Sequence, residues 1–206
     1  DNPPEDDLVV GVGTIIPRWS GTAASPAKLL YFTVRESFPD DDDFEYTAKA
    51  FQDAAEEWNA INFGVTINAT SERAEANFVL VYYKPPPSRR RVIASAFFPN
   101  KVTEVLCYEY ALSNPRQRRI LKNTFLHEIG HIIGLRHEFA IEQDALGNGP
   151  EGTPAVYFGS RNPLSVMSYE DVANIQDTDK EDVVKFYQLP NNFKIGGLAV
   201  TDFNPK

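Results

Sequence analysis

The sequence predicts an α+β domain, and three observations carry that reading. Short β-rich runs alternate with segments of helical spacing; one such segment holds all three histidines of the chain; and the last third turns to Gly, Asn, Pro and Ser before a final amphipathic stretch. With 206 residues, 42% of them hydrophobic, the chain can bury one substantial core, so residues 1–206 are read as a single domain.

The elements follow in order. Residues 1 to about 27 are rich in Pro, Gly, Ser and Asp and are predicted to be an extended arm on the body. Leu29 to Arg35 reads as the first strand. Pro39 and the run Asp40 to Asp43 form a turn into a helix, where acidic side chains complement the N-terminal dipole. Four aspartates can also form a calcium loop, but no Gly or alternating-ligand pattern follows, so the capping reading is preferred and calcium is left open. Thr47 to Asn59 has apolar residues at 48, 51, 54, 55 and 58, which is helical spacing. Val65 to Ile67, Asn77 to Tyr83, Val92 to Phe98 and Thr103 to Tyr110 read as strands. Pro85 to Pro87 and Arg89 to Arg91 form a stiff, exposed connection between them. Pro115 suits the first turn of a long helix, Arg116 to Ile133. A last helix spans Asp177 to Gln188, with Val183, Val184, Phe186 and Tyr187 on its apolar side.

The long helix carries the decisive motif, His127-Glu128-Ile129-Gly130-His131-Ile132-Ile133-Gly134-Leu135-Arg136-His137, or H-E-x-x-H-x-x-G-x-x-H. Positions i and i+4 share a helix face, so His127 and His131 can address one metal ion, with Glu128 beside them. Gly134 can adopt a left-handed conformation, end the helix and return His137 as a third ligand. Three neutral imidazoles with an open position form a catalytic rather than a structural zinc arrangement. A lone histidine is usually a satisfied core residue. All five fixed positions arise by chance with a probability on the order of one in 10⁵, which disfavours that reading here.

The pattern resembles the signature of the metzincin clan of zinc endopeptidases. The single methionine of the chain, Met167, lies in Ser165-Val166-Met167-Ser168-Tyr169 and resembles the clan's Met-turn. That turn and Gly134-Leu135 look like serralysins, Glu138 after the third histidine looks like astacins, and Val92 to Pro99 is similar to the matrixin strand over the substrate cleft. The resemblance implies a metzincin-like fold: a twisted mixed sheet with a backing helix and an active-site helix above the cleft, over about 28–134. Below it would lie a small loop-rich lobe over 135–206, ending in a C-terminal helix. It implies one catalytic Zn2+ on His127, His131 and His137, with Glu128 as general base. It also implies Tyr169 as oxyanion donor, Met167 as the floor beneath the metal, and Ile93, Ala94, Ser95 and Ala96 as the edge that pairs with an extended substrate. Tyr169 can also be an ordinary packed tyrosine. Glu138 either contacts a buried mature N-terminus, as in astacins, or is a surface carboxylate.

The departures are informative. Matrixins place histidines for a second, structural zinc where this chain has Ser95 and Leu106, and three histidines in all leave none to build such a site. One cysteine, Cys107, rules out an intrachain disulfide; its β-rich surroundings predict a buried free thiol.

A net charge of −9 argues against nucleic acid as a partner, because phosphates demand a basic surface. No apolar run approaches the roughly eighteen residues needed to span a bilayer. The chain opens at Asp1 with neither an initiator Met nor a signal segment, and is expected to be a mature form; a shortened chain is the other reading. The sequon Asn68-Ala69-Thr70, in a polar stretch between predicted strands, makes Asn68 a glycosylation candidate. The sequence thus predicts a secreted, monomeric zinc endopeptidase acting on proteins or peptides. The alternatives are an inert zinc- or peptide-binding module on the same fold, and a metal hydrolase acting on small non-peptide substrates.

Overall fold

The computed structural model describes residues 8–86, 91–138, 155–159, 161–168, 172 and 174–206. The fold is mixed α+β. It begins with β1 (Leu8–Val10), β2 (Ile15–Trp19) and β3 (Ala27–Thr33), followed by α1 (Asp41–Asn59), β4 (Val65–Ala69) and β5 (Phe78–Tyr83). Next come β6 (Ala94–Ser95), β7 (Val105–Tyr108) and three successive helices: α2 (Glu109–Ser113), α3 (Pro115–Arg119) and α4 (Leu121–Ile132). Beyond lie β8 (Val156–Phe158), α5 (Asp177–Gln188), β9 (Lys194–Ile195) and β10 (Leu198–Phe203).

The main sheet has the order β4-β3-β5-β7-β6. Its first four strands are parallel, and β6 closes one edge antiparallel to β7. Parallel strands need crossovers, and α1 supplies the one from β3 to β4. It starts six residues before the apolar periodicity does, because Asp40 caps it: the Asp40 carboxylate accepts from the Asp43 N–H at 2.8 Å. The remaining aspartates face arginines, Asp41 with Arg35 and Asp42 and Asp43 with Arg118. The acidic run therefore acts as cap and ion-pair partner.

The inward face of α1, with Ala50, Phe51, Ala54, Ala55 and Trp58, packs on α4 and the sheet. Phe51 meets Tyr31 and Phe125 edge-on, at ring separations of 4.7 and 5.1 Å, in the arrangement aromatic quadrupoles favour. The Trp58 indole N–H donates to the Leu126 carbonyl at 2.9 Å, which fixes α1 against the metal-motif helix.

Three expectations change. The helix predicted from Arg116 to Ile133 is two helices. Ile120, at φ −104° and ψ 12°, breaks the ladder; its N–H bonds back to Gln117, and the Arg118 carbonyl takes the Tyr46 hydroxyl instead. The N-terminal arm contains two paired strands: β1 pairs with β8, and β2 runs parallel to β10. The chain also does not end at the last helix. It continues through β9 and β10, so that β2, β10 and β9 form a second sheet. Arg18 locks this sheet to α5, with its guanidinium on Asp202 and on the carbonyls of Phe186 and Leu189. Among the described residues no helix is long and apolar enough to cross a membrane.

Candidate metal centre

The C-terminal turn of α4 builds the centre. Gly134 has φ +101°, and it ends the helix with the paired bonds of a Schellman motif: Leu135 N–H to Gly130 O and Gly134 N–H to His131 O, each 2.9 Å. A side chain is excluded on a second ground, since a Cβ at Gly134 would lie 2.4 Å from the Pro17 carbonyl oxygen. The carbonyls exposed by the helix end are taken by side chains from both ends of the chain. Trp19 donates its indole N–H to Ile132 O at 2.7 Å, and Tyr187 donates its hydroxyl to Ile133 O at 2.9 Å.

Past the turn the chain is held by the N-terminal segment. Leu135 bridges Val10, the Arg136 N–H donates to Val9 O at 2.8 Å, and the buried Arg136 guanidinium donates to Gly11 O at 3.0 Å. This clamp directs the next residue, His137, toward His127 and His131. The ligand atoms of the three histidines all lie within 4.8 Å of one another. Their ring centroids form a near-equilateral triangle with sides of 4.8, 4.9 and 5.0 Å.

Two of the imidazoles are fixed in tautomer as well as position. His127 Nδ1–H donates to Val166 O at 2.8 Å, and His131 Nδ1–H donates to Leu135 O at 2.9 Å. With the proton on Nδ1, Nε2 presents its lone pair to a cation. An all-imidazole donor set suits zinc and related ions better than magnesium or calcium, which take oxygen ligands. The residues therefore fit one zinc ion. The cluster includes no carboxylate, so Glu128, on the same helix and nearly buried, stands outside the ligand set.

Met167 is fully buried under α4. A Cβ on Gly130 would lie 2.1 Å from its sulfur, so the glycine is what lets the methionine sit there. The turn around it is anchored by Asp179 at the start of α5. This carboxylate accepts from Ser165 Oγ at 2.6 Å, from the Val166 N–H at 3.0 Å and from the Gln176 N–H at 2.7 Å. Burial pushes the Asp179 carboxyl above its ordinary value, and these three donors oppose the shift. Val166 also gives its carbonyl to His127, so Asp179 is linked to that imidazole through the backbone of a single residue. Asp179 was missed by the sequence reading; its trace there is the capping box it forms with Gln176, three residues earlier. Trp19, Arg136 and Tyr187 were missed as well.

Of the two readings of Glu138, the surface carboxylate is corrected: Glu138 is 1% exposed, and its Oε1 accepts from the Asn162 N–H at 2.6 Å. The Asn162 N–H thus holds this carboxylate in the interior, and the Glu138 N–H donates to Met167 O at 2.8 Å. Tyr169 and Asp1 lie outside the described residues. Of the expected edge residues, Ala94 and Ser95 form β6, and Ile93 accepts from the Tyr108 N–H at 2.9 Å, while Ala96 follows the strand. Ser95 stands directly opposite Leu106, so the two positions compared with a second zinc site do meet, without a ligating pair between them. Asn68 is exposed, but it lies inside β4 at the far edge of the sheet rather than between strands. Cys107 is a free, buried thiol, and burial pushes its pKa up to about 12. No protein-family model matches the chain, and a search of curated proteins finds no match.

Proposed function

We propose that the chain is a zinc-dependent endopeptidase of the metzincin type, secreted and monomeric, acting on proteins or peptides. The observation that carries the reading is the convergence of His127, His131 and His137 within 4.8 Å, two of them with Nδ1 engaged so that Nε2 is available. Zinc held there supplies Lewis acidity, which polarises a carbonyl and acidifies water. Glu128 follows the first ligand on α4 and is not itself a ligand. Its carboxylate takes the proton from the attacking water and returns it to the departing amine. Tyr169, by resemblance, donates its hydroxyl to the oxyanion, and Met167 holds the floor beneath the ligands. An extended substrate pairs through its main chain with the side of β6 away from β7, near Ile93, Ala94, Ser95 and Ala96, where no strand pairs among the described residues. The fold belonging to this reading is the metzincin one, with α1 as backing helix and α4 as active-site helix.

A digest of a peptide library by the zinc-loaded chain, analysed by mass spectrometry, tests the proposal. The expected result is internal cleavage that stops when zinc is removed and resumes when it is restored. Intact peptides throughout, with zinc verified in place, would sink it in favour of an inert module.

A further inference from the structure

A small cavity of about 280 Å³ adjoins the end of β6. Its wall is apolar, from Val12, Phe97 and Phe98, and its rim is polar, from Asn100, Lys101 and Thr103. The cavity is close to the metal centre, since the Phe98 ring that lines it also lies 5.3 Å from the His131 ring. Val12 comes from the turn between β1 and β2, so the N-terminal segment supplies part of the wall. Lys101 is set by a tight turn, Phe98-Pro99-Asn100-Lys101, with Pro at its second position and the Lys101 N–H donating to Phe98 O at 2.9 Å. It is the one charged residue among those lining the cavity, and none of the ion pairs among the described residues includes it. Glu104 follows Thr103 but does not line the cavity.

We propose that this cavity is a side-chain subsite of the peptide groove and that Lys101 makes it select an acidic residue, glutamate above all. The inference rests on the peptidase reading and adds a specificity determinant to it. Two glutamate methylenes cover the apolar wall, and the carboxylate reaches the ammonium at the rim. In a chain of net charge −9, a local cation with no carboxylate partner among the described residues is a distinctive recognition element. Side chains along an extended peptide recur at about 3.3 Å per residue, so the selected position falls within about three residues of the scissile bond.

The test uses peptides that differ only in Glu, Gln or Lys at each position near the cut. At one position Glu should exceed Gln by roughly threefold and Lys by roughly tenfold in kcat/KM, the scale of an exposed ion pair, and the preference should shrink at high salt. Lys101→Glu should invert the Glu-to-Lys ratio at that position alone. A second readout is independent of turnover: fluorescence anisotropy of the same peptides bound to the Glu128→Gln chain should give Kd values in the same order. Cleavage with no acid-selective position, or with a preference that Lys101→Glu leaves unchanged, overturns the subsite alone. Absence of all cleavage overturns the peptidase reading, and the subsite with it.

Discussion

Gly130 and Met167 fit each other as a pair: a Cβ on the glycine would sit 2.1 Å from the methionine sulfur. Gly130→Ala should therefore displace Met167 and, through Val166, loosen His127. Overpacking of this kind costs about 1–3 kcal/mol, read as a lower urea midpoint, with weaker zinc binding. Combined with Met167→Ala it should cost less than the sum of the two single changes, because the new methyl fills space that the lost sulfur leaves. Additive destabilisation in the double variant would refute the pairing.

One zinc ion per chain is expected by elemental analysis, bound through His127, His131 and His137. Ligation requires neutral imidazoles, so protonation competes with the metal, and occupancy should fall on acidification. Replacement of any one of the three by Ala should abolish tight binding. Two tightly held ions would overturn the single-site expectation, since the three histidines of the chain are all spent on one site.

Glu128→Gln should keep its zinc and lose roughly 10²–10⁴ in hydrolysis, the range of general acid–base catalysis. Tyr169→Phe should lower kcat and kcat/KM together, by roughly 10–100-fold, with KM little changed, if its hydroxyl acts only in the transition state. Steady-state kinetics on one good peptide decides both. A near-normal rate in either variant removes that residue from the mechanism.

Alkaline pH should unfold the protein early. Burial raises Cys107 from 9.0 to about 12 and Tyr31 from 10.0 to about 12. Raised values mean that the folded chain holds these protons more tightly than the unfolded one. The stability they contribute is complete below about pH 9 and is lost as pH climbs toward about 12. Urea melts between pH 8 and 11 should show the decline, and Cys107→Ala should remove the part that starts near pH 9. The native thiol should also resist alkylation at pH 8 and react once unfolded.

The sequence exposed most of the metal centre because its spacing is local. His127 and His131 share a helix face whatever surrounds them, and Gly134 announces the turn. The same holds for α1, where an apolar stripe marks the buried face, although the Asp40 cap carried the helix further back than the stripe did. What stayed hidden depends on contacts distant in sequence. The partnership of β2 with β10 joins Arg18 to Asp202, and no periodicity in either strand signals the other. Asp179 reads as one more acid in an acidic helix start until Ser165 and Val166 fold against it. The break at Ile120 is accompanied by Tyr46, more than seventy residues away, donating to the Arg118 carbonyl, a contact with no trace in the local sequence.

The clamp of Val9, Val10 and Gly11 on Leu135 and Arg136 has a kinetic consequence. Two imidazoles can be aligned as soon as α4 forms, within its own sequence. The third waits for a strand from the other end of the chain, across a separation of 125 residues in the Gly11–Arg136 bond. Contacts of such long range close slowly, because the loop entropy is lost before the contact repays it. In refolding, helical circular dichroism should thus recover ahead of three-histidine zinc affinity. A chain lacking residues 1–12 should hold the metal by two ligands, loosely, with its helices intact.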